Sequence, residues 1–415
     1  MKFRLPGATA IAALVVAVAA PAPLASAQNN GQPAVQVSRD LVQPLNEARA
    51  ALTAKDWVTA KARLDTATAK AKTPADKGQI DRLRFYLGSQ TKDGAMQIAA
   101  INALVASGTL TPEETKQYKS ALSAAHAEAG DAVASRAAAK AYIDEYGGTP
   151  DQLISLANEF YKANDNASAV TYAVKAITAI KATGKPDESW YRLLASAHSR
   201  LGQTAEVRAV REQHLTDHPN SQNAEQYWKE LIVPAQDAPN YGPAVRLDLF
   251  RTLQAAGVRL NAQERTSLSD GAMKRGLPNE ALTVLEAAIA ANDATLTPLD
   301  RENYAEAKTQ VVSDKAGLAK EAADAQAKGT GADIASIGEA YLSYGDNAKA
   351  AELLKAAITK GIPDAGELDI AKLHLGIAQY RAGDKDAARA TWGEIKSDNG
   401  TAILARNWTL ISRIK

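Results

Sequence analysis

The 415-residue chain has 48 Lys+Arg against 47 Asp+Glu, with 23% charged and 46% hydrophobic residues. That near-neutral balance is ordinary for a folded soluble protein and lacks the basic field a nucleic-acid partner requires. Zero cysteine excludes disulfide staples, thiolate metal sites, cysteine nucleophiles and a lipid-bearing cysteine, so stability must come from packing. At ~150 residues per domain the length suggests two or three domains, unless internal repeats set the architecture instead.

From the N-terminus, Lys2 and Arg4 precede an apolar run from Ala8 to Ala20, and Ala25-Ser26-Ala27 supplies small residues at a cleavage point. This pattern predicts a signal peptide over 1–27, cleaved after Ala27, and hence a periplasmic protein. The run is short of the ~20 residues that cross a bilayer, and no later stretch is apolar for long enough to span one. Cleavage would leave 388 residues with 46 basic and 47 acidic side chains. Residues 28–40 are polar and aperiodic, which predicts a flexible leader.

Five prolines follow at Pro74, Pro112, Pro150, Pro186 and Pro219, separated by 38, 38, 36 and 33 residues. Thr73, Thr111, Thr149 and, further on, Thr297 each stand directly before a proline. Threonine caps a helix start, and proline at its first position lacks only an amide hydrogen that had no partner. Thr111 with Glu114 and Thr149 with Gln152 have the spacing of capping boxes. Between these starts run a helix, a tight turn and a second, alanine-studded helix. Turns are expected at Lys55, Asp93, Gly130, Asn164, Gly202, Pro239, Gly276, Val312, Gly345 and Gly383, in steps of 33 to 38 residues. The clearest unit runs through Ile337-Gly338, Ala340, Tyr341, Gly345-Asp346, Ala350, Leu354 and Ala357. It recurs 38 residues later as Leu375-Gly376, Ala378, Tyr380, Gly383-Asp384, Ala388, Trp392 and Ile395. Two units, around Phe85 to Ile98 and Tyr304 to Asp324, rest mainly on spacing. Thr401 to Ile411 is an apolar-periodic stretch suited to capping the end of the stack.

These units resemble the tetratricopeptide repeat (TPR), a helix-turn-helix of about 34 residues with small residues where its helices cross closely. The same outline recurs at Leu156-Ala157, Phe160 and Ala169, at Leu268-Ser269, Ala272 and Ala281, and at Ala48, Trp57 and Leu64. The resemblance implies an all-α fold over 41–415: a right-handed α-α superhelix of about ten helix pairs plus a C-terminal capping helix. Such pairs cannot bury their apolar faces alone, so neighbours share a continuous core. Three prolines, Pro234, Pro239 and Pro243, predict a long connection and a bend near 232–245.

Enzyme signatures are absent. Gly361 and Gly366 have phosphate-loop spacing, but Glu367-Leu368 follows where Lys-Ser/Thr is required. Ser397-Asp398-Asn399 lacks the companion elements of penicillin-recognising serine enzymes. His214 and His218 share a helix face without the glutamate of a zinc-protease motif, and read as a solvated helix end. His126 and His198 fill a packing position of the repeat, and His374 has no catalytic partner nearby. Acidic pairs such as Glu113-Glu114 fall in first helical turns, where the helix dipole favours negative charge. No catalytic residue, cofactor site or metal site is expected.

The TPR resemblance places the first helix of each pair along a concave groove. On that alignment Ile154, Asn158, Tyr161 and Lys162, then Arg192, Ser196, Ser199 and Arg200, then Lys229, face a partner. This basic and polar stretch suits an extended peptide with an acidic group or a C-terminal carboxylate. Ala335, Glu339 and Leu342 with Leu373, Ile377 and Tyr380 make a more apolar groove, suited to a protein surface. The expected function is a non-catalytic scaffold for protein or peptide partners of the cell envelope. The alternative is an accessory subunit of an envelope machine, for energy transduction or outer-membrane assembly and export, or of cell-wall metabolism.

Overall fold

The computed structural model describes residues 37–239 and 241–415. The expected signal peptide at 1–27 and most of the leader at 28–40 lie outside the described residues. Those that are described form twenty α-helices and one short 3-10 helix, with no strand. The all-α hairpin architecture expected from the sequence is the one observed.

Its local causes are visible at nearly every turn. Thr73, Thr111, Thr149 and Thr297 each cap a helix that starts on proline, with both halves of a capping box formed. The anticipated turn residues Lys55, Gly130, Asn164, Gly202, Gly276, Gly345 and Gly383 all have positive φ. In six hairpins an aspartate follows as N-cap of the second helix: Asp56, Asp93, Asp131, Asp165, Asp346 and Asp384. The pair of signals reverses the chain in two residues and satisfies an amide that a helix start would leave bare.

The chain divides after Thr204 into two compact units. The first contains α1 (Arg39–Thr53), α2 (Trp57–Lys70), α3 (Pro74–Thr91), α4 (Gly94–Ala106), α5 (Pro112–Glu128), α6 (Ala132–Tyr146), α7 (Pro150–Lys162), α8 (Asn166–Lys181) and α9 (Glu188–Arg200). Each helix packs on the next, and first helices of successive hairpins also touch, α1 on α3 and α7 on α9. Leu41, Leu45, Leu64, Ile80 and Leu87 form one stretch of core, and Phe85, Ile101, Leu104 and Tyr118 the next. At its N-terminal edge, Ser38 donates to the buried Asp76 through its amide at 2.8 Å and its hydroxyl at 2.7 Å. The Lys72 and Thr73 amides add bonds of 2.9 and 3.0 Å. Burial alone would raise the Asp76 carboxyl, but these donors hold it well below the usual carboxylate range.

The second unit holds α10 (Thr204–Asp217), α11 (Ala224–Ile232), a 3-10 helix (Val233–Asp237), α12 (Pro243–Ala256), α13 (Ala262–Lys274), α14 (Pro278–Ala290) and α15 (Pro298–Lys328). Beyond these come α16 (Gly331–Ser343), α17 (Asn347–Lys360), α18 (Ala365–Arg381), α19 (Lys385–Gly393) and α20 (Gly400–Ile414). One apolar core runs from Leu215 through Leu249, Leu268, Leu354 and Ile377 to Ile411. Close helix crossings explain the small residues of the two clearest units. A Cβ on Gly338 would lie 2.7 Å from Leu354, and one on Gly376 would lie 2.2 Å from the Trp392 ring nitrogen.

Two expectations fail here. The turn at Val312, and with it the helix pair around Tyr304 to Asp324, is absent: α15 runs unbroken for 31 residues. Val312 is β-branched and disfavours positive φ, and the two residues after it that could cap a second helix are engaged otherwise: Ser313 Oγ donates back to Gln310 O at 3.0 Å, and Asp314 accepts from Tyr344 Oη. The second concerns α20. It packs on α18 and α19 as a cap would, but also on α11, the 3-10 helix and α12. Leu404, Trp408 and Ile411 are almost wholly buried, each worth about 1.5–3 kcal/mol. Asn407 donates to Leu231 O at 3.0 Å and Lys415 Nζ to Ala255 O at 2.6 Å. The last helix therefore joins the beginning of the unit to its end.

Candidate functional site

On α7 the side chains of Leu153, Leu156, Ala157 and Phe160 turn into the core, and Phe160 stacks on Tyr172 of α8 with centroids 5.6 Å apart. The helical period leaves Ile154, Asn158 and Tyr161 half-buried and Lys162 exposed. In α9, Tyr191, Leu194, Ala195, Ala197 and His198 are buried, while Arg192, Ser196, Ser199 and Arg200 face solvent.

Arg200 and Tyr161 come together. The guanidinium lies 3.8 Å from the Tyr161 ring centroid, and Nη1 donates to Tyr161 O at 3.3 Å and Asn164 Oδ1 at 3.2 Å. Asn164 can present its side chain because it occupies the left-handed turn between α7 and α8. Nε and Nη2 of Arg200 keep donors for an anion. Arg192 pairs with Glu188 at 3.9 Å and Lys162 with Glu159 at 2.7 Å, both within one helix and partly exposed. Such pairs are worth less than about 1 kcal/mol and exchange readily for a ligand carboxylate. Lys229 belongs to the second unit, on α11, where it pairs with Glu225 at 3.3 Å.

The apolar groove expected at Ala335, Glu339, Leu342, Leu373, Ile377 and Tyr380 is not open. Glu339, Leu342, Leu373 and Ile377 are buried within the second unit. Tyr380 and Ala335 are partly buried against the same core. Helix α20 packs on α18 there, with Trp408 lying 6.0 Å from Tyr380 between ring centroids.

In place of a groove the second unit contains a buried charge cluster. Arg251 of α12 contacts Asp248 at 2.8 Å, Glu280 of α14 at 2.5 Å and Glu339 of α16 at 2.8 Å. Arg275, the C-cap of α13, reaches the other oxygen of Glu339 at 2.6 Å. His374 of α18, expected to have no partner of catalytic type nearby, has Nε2 2.8 Å from Asp248 Oδ1 and 3.3 Å from Arg251 Nη1. Burial would push the Asp248 and Glu339 carboxyls up, but His374 and the arginines hold both below their ordinary range. Burial likewise works against the Arg251 charge, and its carboxylates raise it well above normal. A cavity of about 20 Å³ adjoins Arg251, Glu280, Glu339 and Arg381, room for about one water. These groups are bonded to one another, so the cluster locks α12, α14, α16 and α18 together.

His214 also departs from expectation. It is buried, its ring 4.9 Å from that of Tyr227 and 5.6 Å from that of His218, because Tyr227 of α11 covers this face of α10. His198 is buried as a packing residue, with Nδ1 2.7 Å from Gln203 Oε1. Among the described residues no cluster of three His, Asp or Glu could hold a metal, and no helix is long and apolar enough to cross a membrane.

Known proteins resemble this chain in structure only. No family model matches the sequence, and no curated protein matches it. Among solved structures, a tetratricopeptide repeat protein from Parabacteroides merdae is 12% identical, covering 72% of this chain and 99% of its own, at a TM-score of 0.25. The TPR2AB domain of yeast Sti1 in complex with pHSP90 is 10% identical, covering 73% and 99%, at 0.23. Naa15/Naa10 bound to HypK-THB is 14% identical, covering 88% and 60%, at 0.33. The hairpins are TPR-like. That description rests on the capped helix pairs, left-handed turns and small crossing residues of this TPR-like array itself.

Proposed function

We propose that this TPR-like protein is a non-catalytic scaffold that holds a protein or peptide partner on the α7–α9 face of its first unit. The observation that carries this reading is the Arg200–Tyr161 stack, which fixes a cation with spare donors beside the half-buried Asn158 and the exposed Ser196. A partner carboxylate would accept charge-assisted hydrogen bonds from Arg200 and Arg192, while Asn158 is suited to the peptide backbone. The signal-like segment at 1–27 supports export to the bacterial periplasm, with 28–40 as leader and 41–415 as the binding array. The partner is then a component of the cell envelope.

The test is a photo-crosslinker at Ser196 in cells, with identification of the captured protein and measurement of its affinity for the purified chain. Arg192→Glu combined with Arg200→Glu should weaken capture at least tenfold while the helical dichroism signal stays unchanged. Unaltered capture by that folded variant removes the proposed face.

A further inference from the structure

The first unit has a second surface, where the second helices α2 and α4 meet the first helix α3. A groove of about 450 Å³ lies among α2, α3 and α4, within the range of sites that hold ligands. Its floor is apolar, with Leu64 and Leu87 each only 1% exposed. One wall is mostly methyl groups: Ala95, Ala99 and Ala103 recur every four residues on α4 and are exposed, with Met96 beside them. Between α6 and α8 the corresponding gap is bridged, since Asp144 accepts from Tyr172 Oη at 2.9 Å and lies 4.0 Å from Lys175 Nζ. Short alanine side chains cannot bridge α4 to α2.

The charges in the groove are unevenly matched. Arg84 of α3 serves two carboxylates, Asp65 of α2 at 3.1 Å and Asp81 at 3.9 Å. The Asp81 contact is beyond hydrogen-bonding range, although its side chain is only 16% exposed. Asp93 is occupied in capping α4, accepting from the Met96 amide at 2.9 Å. With Lys61 at the α2 rim the lining carries two cations against three anions, and Lys77, which also acts on Asp81, stands outside it. Burial outweighs Arg84 and Lys77 and raises the Asp81 carboxyl above its ordinary range.

We infer that this groove docks a partner helix carrying a single Lys or Arg among small apolar residues. The methyl wall repeats at about one helical turn, so the ridge of an incoming helix lies along it. A Lys or Arg stem would cover the leucine floor while its head meets Asp81. This surface is separate from the α7–α9 face and does not depend on it.

The probe is a fluorescein-labelled 18-residue alanine–leucine helix with one central lysine, compared with its glutamate counterpart by fluorescence anisotropy on the full chain. The lysine probe should bind at least tenfold more tightly than the glutamate probe. Asp81→Asn should weaken it about tenfold. Ala99→Glu should abolish binding, with Ala103→Glu as a second obstruction should the first variant fail to fold. Arg192→Glu with Arg200→Glu should leave it unchanged, which separates this surface from the proposed scaffold face. No binding, equal affinity for the two probes, or full binding by a folded obstructed variant overturns the inference. A self-association in sedimentation that Ala99→Glu abolishes overturns it too, by making a second copy the occupant.

Discussion

Replacing Arg251 with methionine keeps the length of the side chain and removes the charge that α12 contributes to the buried cluster. Arg251 lies within 2.8 Å of oxygens from Asp248, Glu280 and Glu339, and the first and last of these are almost fully buried. Arg275 remains beside Glu339, but Asp248 and Glu280 lose their arginine partner. Breaking a buried ion pair in this way costs about 3–5 kcal/mol, most of it from leaving charge uncompensated. For a unit of this size each kcal/mol moves the melting temperature by roughly 2–4 °C, so a fall of about 6–20 °C is expected. Differential scanning calorimetry at neutral pH measures it. Arg251→Lys should recover only part of the loss, since ammonium cannot reproduce the two-nitrogen contact with Glu280. Removing Glu280 together with Arg251 should cost less than the separate losses added, because the pair is coupled. A shift below 2 °C for Arg251→Met would refute the cluster as a lock.

Acid should weaken the same unit. Asp248 and Glu339 ionise at lower pH when folded than in an unfolded chain, where carboxyls titrate near 4. Their stabilisation is therefore complete above about pH 4.5 and fades as pH falls through the folded values. Melting temperatures should hold from pH 7 to 5 and drop below 4, and Glu339→Gln should flatten that drop; a rise on acidification contradicts the assignment. Gly376→Ala places a methyl group against the buried Trp392 ring, whose nitrogen is held by Leu373 O at 3.1 Å. Overpacking of this kind costs about 1–3 kcal/mol, and a denaturation midpoint equal to wild type would show that the helices part without strain.

The hairpins were legible because their causes are local. A Thr-Pro start, a residue that tolerates positive φ and the aspartate after it all act within a few positions, so Thr149, Asn164 and Asp165 state their roles in the sequence. Val312 was placed by step counting alone, with no residue chemistry to end a helix, and the helix went on. The interior of the second unit was opaque for the opposite reason. Glu339 meets Arg251 across 88 residues and His374 meets Asp248 across 126, distances over which no helical period carries information. Of the residues that the repeat places in a groove, Arg192, Ser196 and Arg200 lie exposed on α9. Leu373 and Ile377 are instead buried within the second unit.

A linear run of repeats can be shortened one step at a time, each loss subtracting one neighbour. The second unit does not allow that, because Asn407 and Lys415 are tied to partners 176 and 160 residues earlier. During synthesis α11 and α12 emerge with an apolar face whose cover is made last. They wait for α20 before the unit can close, and a nonsense codon near its end should cost the stability of helices translated long before it.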